Sequence, residues 1–248
     1  MKRKGNLWIL FAIVLSVAAG DQSHAGTFSF GSGSGNSISG DTTGTISAGG
    51  FQMSVAALPA GGSVFDESDS DGLGVNSSAA TGTADGDPDK FSIVGGNGAA
   101  DGMGESITFS FDRSGFLTEL RFDGLKDEAL EFFQLQTPSG TVFSYFDAQT
   151  ALRVPLNLLT VPNLRLLDPD DLIADTDDDI TNLSLPFEPG EQFTITYGEF
   201  PQPSGISGLS VPNGARLQGI VVSAVPEPSV RWLSMACIAL GFCVRCRI

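Results

Sequence analysis

The sequence predicts an all-β protein, a single β-sandwich or jelly roll with an apolar helix at each end of the chain. Three observations carry this expectation. Gly, Ser, Thr, Asp and Phe dominate the composition, while the Lys, Glu and Ala patterns of amphipathic helices are scarce. Apolar residues between the two ends recur at alternate positions, the period of a strand with one buried face. Turn-forming residues interrupt these runs about every ten residues, the rhythm of a sandwich or a barrel.

The elements follow in chain order. Residues 26–50 are mostly Gly, Ser and Thr around Phe28, Phe30, Ile38 and Ile46, a pattern that fits an extended leader or a first weak strand. Residues 51–55 alternate, with Phe51, Met53 and Val55 on one face. A glycine-rich acidic loop is expected over 60–89. Residues 105–112 give the strongest strand signal, with Ile107, Phe109 and Phe111 toward a core and hydroxyls or charges toward water. The turn Arg113-Ser114-Gly115 predicts a hairpin from this strand to residues 116–122. Further strands are expected over 131–137 and 141–146, around Pro138-Ser139-Gly140, over 192–197 after Pro189-Gly190, and over 216–225. Between them, residues 168–179 break the alternation and read as a surface loop or a binding edge.

The two ends have a different character. Lys2, Arg3 and Lys4 precede an uncharged apolar stretch over 7–19, and a short polar run ends in Ser23-His24-Ala25. That order matches the three regions of a secretory signal peptide, with cleavage expected after Ala25. An apolar helix of this length covers about 20 Å, short of a ~30 Å hydrocarbon core, so a cleaved signal fits better than an anchor. At the other end Pro226-Glu227-Pro228 leads into an apolar run over 232–244, closed by Arg245 and Arg247. Two prolines forbid continuation of helix or sheet, and the terminal arginines match the positive charge that stops a segment at the inner membrane face.

Tripeptide, apolar helix and basic end, in that order, resemble the PEP-CTERM sorting signals of Gram-negative bacteria. The resemblance implies export followed by processing at Pro226, Glu227 and Pro228 by an exosortase, a membrane transpeptidase. The body is similar to ectodomains carried by such tails, through Gly72-Leu73-Gly74-Val75, the strand Gly104-Glu105-Ser106-Ile107-Thr108-Phe109, and Pro189-Gly190 followed by Phe193 and Ile195. The expected organisation is a signal peptide over 1–25, the Gly/Ser/Thr-rich segment over 26–50, a β-sandwich over 51–225 and the sorting tail over 226–248.

Removing both ends narrows the chemistry of what remains. The only histidine, His24, lies in the signal segment, and the three cysteines, Cys237, Cys243 and Cys246, lie in the tail. Residues 26–228 therefore have no imidazole or thiolate for a nucleophilic triad, a zinc site or a disulfide. No catalytic residue is expected. Of the 13 Lys and Arg, six fall in the two ends and seven remain against 28 acidic residues, a body charge near −21. Such a field repels nucleic acid, which is excluded as a partner, and favours cations or basic surfaces.

Three alternating acidic clusters are the candidate metal ligands: Glu67, Asp69 and Asp71; Asp85, Asp87 and Asp89; and Asp175, Asp177 and Asp179. Carboxylates on a tight loop can converge on calcium, a hard cation that takes several oxygens. The first cluster opens like an EF-hand loop, but Ser78 stands at the twelfth position, where a bidentate Glu is required. The plainer reading of all three is a set of solvated acidic loops. Paired carboxylates could also serve a glycoside hydrolase, yet no motif selects a pair in so acidic a chain.

The leading expectation is thus a non-enzymatic cell-surface or matrix protein, sorted through its tail, with secretion machinery and an exosortase as partners. Before processing, the C-terminal helix would contact the membrane, and extracellular polysaccharide is a further candidate partner. The alternative is a carbohydrate-binding module or adhesin with calcium-ordered loops. A secreted hydrolase using carboxylates alone comes third. Against a sugar platform stands the aromatic content, 18 Phe with only two Trp and two Tyr, since Phe is mostly a core residue.

Overall fold

The computed structural model describes residues 25–31, 38–68, 72–81, 90–92, 103–125, 130–147, 161–167, 178–200 and 214–225. Nearly all belong to one compact unit, Ala25–Ser223. A second unit, Met1–His24 with Ala224–Ile248, is described only at Ala224 and Val225.

Among the described residues the chain is all-β, in two sheets, with one short helix. The strands are β1 (Ala25–Ser29), β2 (Thr43–Ala48), β3 (Phe51–Leu58), β4 (Val64–Ser68) and β5 (Gly72–Asn76). After the single-turn helix α1 (Ser78–Thr81) come β6 (Met103–Phe111), β7 (Gly115–Asp123), β8 (Glu131–Gln136) and β9 (Val142–Asp147). The last four are β10 (Leu164–Leu167), β11 (Asp178–Phe187), β12 (Phe193–Glu199) and β13 (Arg216–Ala224). One sheet runs β11-β7-β13-β5-β4, with β1 also paired to β13, and the other runs β10-β9-β8-β12-β6-β3-β2. β10 runs parallel to β9, whereas β1–β13, β11–β7, β12–β6, β12–β8, β13–β5, β2–β3, β3–β6, β4–β5 and β8–β9 are antiparallel.

Alternation places the rings. On β3 and β6 the buried apolar residues include Phe51, Met53, Val55, Ile107, Phe109 and Phe111, with Gln52, Ser54, Ser106, Thr108 and Ser110 between them exposed or half-buried. Rings from the two sheets meet face to face or edge to face. Phe122 of β7 stacks on Phe133 of β8 at 4.2 Å, and Phe187 of β11 stacks on Phe111 of β6 at 4.5 Å. Each such contact adds roughly 0.5–1.5 kcal/mol beyond the burial of the rings themselves.

Residues 26–50 are not a leader outside the sheets at their described positions, because β1 and β2 lie within them. β2 joins β3 through Gly49-Gly50, with φ of 57° and 81° and Ala48 opposite Phe51. Two successive positive φ values define the hairpin turn whose twist matches the strands, and glycine adopts them without steric cost. The stretch expected to be one acidic loop, 60–89, supplies the β4–β5 pair and α1. The turn Pro138-Ser139-Gly140 does join a hairpin, β8–β9, closed by Thr137 N donating to Thr141 O at 2.8 Å.

The expected hairpin from 105–112 to 116–122 does not form. β6 and β7 lie in different sheets, and residues 112–114 carry the chain across. The cause is local. Asp112 N donates to Gln52 O at 3.0 Å and Asp112 Oδ1 accepts from Gln52 N at 2.8 Å, which extends the β3–β6 pairing past Phe111. At the crossing, a Cβ on Gly115 would lie 2.7 Å from Ser223 O and 2.8 Å from the Phe187 ring, so only glycine lets β7 enter the other sheet there. Two apolar faces that would have been neighbours in one sheet are instead buried against each other.

Candidate functional site

Two places concentrate polar chemistry. The first is the outward face of the seven-stranded sheet. Strand register lines up its side chains across the sheet: Thr45 opposite Ser54 and Ser54 opposite Ser110, then Ala56 opposite Thr108 and Thr108 opposite Thr194. A further row carries Ser106, Thr196, Gln134 and Ser144 in successive strands. In a chain of net charge −16, β2 and β3 carry no charged residue, and Glu105 and Glu131 of β6 and β8 are buried. Over β2, β3 and β6 this face forms a groove of about 540 Å³, lined among others by Asp41, Thr43, Thr45, Ser54, Thr108 and Ser110.

The second place is a set of carboxyls buried within the domain. Glu105 of β6 is fully buried and shares its strand face with Ile107, Phe109 and Phe111, not with the water-facing hydroxyls. This corrects the expectation that the charges of 105–112 face water, which Asp112 alone does. Glu105 is held because Ser77 N donates to Oε1 at 3.0 Å and Ser92 N to Oε2 at 2.9 Å. Charge-assisted bonds of this kind offset the cost of taking a carboxylate out of water.

On the next strands, Glu131 of β8 and Glu199 of β12 are direct register partners. The Tyr197 hydroxyl lies 2.6 Å from Glu131 Oε2 and 3.0 Å from Glu199 Oε1. Burial raises the Tyr197 phenol far above its ordinary value, and the two carboxylates push it further up. Burial also raises Glu199, against a smaller opposing effect of the Tyr197 hydrogen bond. Glu131 is 1% exposed and Glu199 half-buried, and through Tyr197 these carboxyls link β8 to β12. In the other sheet, where β7 ends and β13 begins, Arg216 Nη1 lies 3.4 Å from Asp123 Oδ2, both side chains largely covered.

The residues singled out in the sequence are placed unevenly. Glu67 lies on β4 opposite Leu73, half-buried, and its Oε1 is buried without a hydrogen-bond partner. Asp179 lies on β11 opposite Phe122. Asp69, Asp71, Asp85, Asp87, Asp89, Asp175 and Asp177 lie outside the described residues. Among the described residues no three His, Cys, Asp or Glu side chains come together as a metal-holding group. Ser78 opens α1, with its N and Oγ donating to Asn76 Oδ1 at 3.1 and 2.5 Å. Ala25 begins β1 opposite Ser223. Pro226, Glu227, Pro228, Arg245 and Arg247 lie outside the described residues, as do both expected terminal helices. Among the described residues no helix is long and apolar enough to cross a membrane.

Sequence reasoning missed both polar places. Glu105 was legible, since it has the parity of Ile107 and Phe109. The hydroxyl rows were visible as Thr-x-Thr and Ser-x-Thr-x-Ser runs, but their alignment depends on register, which needs the fold. Among the described residues the fold is that of an all-β protein with two sheets. No protein family, no curated protein and no solved structure matches the chain.

Proposed function

We propose that the chain is an exported, non-enzymatic cell-surface or extracellular-matrix protein, a β-sandwich of jelly-roll type passed to an exosortase through Pro226-Glu227-Pro228. The observation that carries this reading is the order of parts along the sequence: a basic, apolar and small-residue leader, a body without His or Cys, then tripeptide, apolar run and arginines. β13 ends at Ala224, so the expected sorting tripeptide follows the last strand directly in sequence. The facing rings of the two sheets support the sandwich arrangement.

Intact-mass measurement of the protein recovered from membrane and from medium tests the reading. The expected result is loss of residues 1–25 and a C-terminal change that Glu227→Ala and deletion of 226–248 both alter. Unchanged processing in both variants would overturn it.

The hydroxyl-lined groove favours a second reading, a carbohydrate-binding module or adhesin. In that reading calcium orders the acidic loops, and millimolar calcium raises the melting temperature and protease resistance. No change in either removes calcium from it.

A further inference from the structure

We infer that the groove over β2, β3 and β6 binds a neutral polysaccharide chain through hydrogen bonds alone, with neither an aromatic platform nor bound calcium. The inference rests on the carbohydrate-binding reading without its calcium-ordered loops, and names the site and ligand class.

The lining chemistry selects the ligand. Thr43, Thr45, Ser54, Thr108 and Ser110 each offer a hydroxyl that both donates and accepts, and Gln192 adds an amide. Among the described residues no Lys or Arg lines the groove, so the described lining does not match a phosphate, sulfate or uronate, and a chain of net charge −16 repels polyanions at longer range. Asp41, exposed, is the one carboxylate among the described lining residues, an acceptor for paired sugar hydroxyls.

Among the described residues the lining holds no Trp, Tyr or Phe, so it offers no ring to stack a sugar on. Adjacent strands are ~4.8 Å apart and alternate residues on one strand ~6.8 Å apart. The register rows Thr45-Ser54-Ser110 and Ala56-Thr108 therefore form a grid on the scale of a sugar ring. Strand twist of roughly 20–25° per step bends that grid into a saddle, which suits a flexible chain better than a flat crystalline face. Water competes for every bond, so each contact is weak, and affinity comes from repeated engagement along one polymer.

The test is native gel electrophoresis of the full chain through gels containing dextran or hydroxyethyl cellulose, and through gels containing alginate. Retardation by a neutral polymer, none by alginate, and no effect of EDTA are expected. The triple variant Thr45→Val, Ser54→Ala, Ser110→Ala should keep the wild-type melting temperature and lose about tenfold or more in apparent affinity. Asp41→Asn with Gln192→Ala changes only exposed positions and should also weaken retardation, which covers the case in which the triple variant fails to fold.

Equal retardation of folded variants and wild type would overturn the inference, as would absence of retardation by both neutral polymers. Loss of retardation in EDTA would move the site to the acidic loops. A dimer in sedimentation that disappears in the triple variant would instead assign the groove to a second copy of the chain. Export and tail processing are read separately by mass, so the sorting proposal can stand while this inference fails.

Discussion

Glu131 and Glu199 stand directly opposite each other on β8 and β12, and the Tyr197 hydroxyl lies within hydrogen-bond distance of both. The single phenol proton is shared between two carboxyl groups, and burial, which raises Glu199, favours a proton on that side chain and so relieves the opposed charges. Like charges opposed across a ladder are otherwise destabilising.

A pH dependence follows. The native state holds the Glu199 proton more tightly than the unfolded chain does. Its contribution to stability is therefore complete below the ordinary carboxyl range and is lost as pH rises through the elevated native value. Wild-type stability should fall between about pH 5 and neutrality, where the excess of carboxylates acts in the same direction. Glu199→Gln keeps a neutral hydrogen-bonding group and should flatten this slope, with a gain on the order of 1 kcal/mol at pH 7. Urea midpoints for both proteins at pH 5 and 7.5 check this. Parallel slopes would remove Glu199 as the shared-proton site.

The two tyrosines give an alkaline counterpart. Burial pushes Tyr145 up to about 12 even though the Arg165 charge pulls the other way, and Tyr197 goes higher still. Each native phenol keeps its proton above pH 10, so its stabilising contribution is present below that value and is lost as pH climbs beyond it. These are the only tyrosines in the chain. Phenolate absorbance should therefore stay flat past pH 10 and rise together with loss of the β-sheet circular dichroism signal. Phenolate appearing near pH 10 with intact dichroism would show that the rings are open to water.

The facing sheets are tied by rings, and the Phe122–Phe133 stack offers a direct measure. Phe122→Ala should cost about 3–5 kcal/mol in urea unfolding, the range for a buried ring replaced by a cavity. A double-mutant cycle with Phe133→Leu should return a coupling of roughly 0.5–1.5 kcal/mol. Independent effects of the two substitutions would mean that the sheets are held by burial alone.

Much of the strand content was legible because alternation survives any topology: Phe51, Met53 and Val55 point inward whichever strands flank them. The sheet to which a strand belongs was not legible. Arg113-Ser114-Gly115 has the residues of a tight hairpin, yet the same residues suit a crossover when Asp112 continues pairing with Gln52 and Gly115 must pass against Ser223. Local turn chemistry cannot distinguish these outcomes, because the deciding contacts come from residues 60 and 108 positions away. The hydroxyl groove was hidden for the same reason. Thr45, Ser54 and Ser110 line up only after β2, β3 and β6 have found their register.

Glu105 supplies the last expectation. Its carboxylate accepts the backbone N–H groups of Ser77, which follows β5, and of Ser92, whose carbonyl in turn accepts from Glu105 N at 3.0 Å. One buried side chain thereby fixes two connecting segments to the middle of the seven-stranded sheet. Glu105→Ala leaves both donors without this acceptor and should cost about 3 kcal/mol, in line with hydrogen bonds to a charged group. Glu105→Gln turns an NH₂ toward one of the two donors, so it should lose less than Ala while still releasing one segment. Hydrogen exchange separates the local effect from a global one: the Ser77 and Ser92 amides should exchange faster, while the β3–β6 ladder around Val55 and Phe109 keeps its protection. If all these amides accelerate together, Glu105 supports the whole sheet; if none changes, the two segments are held by contacts other than its carboxylate.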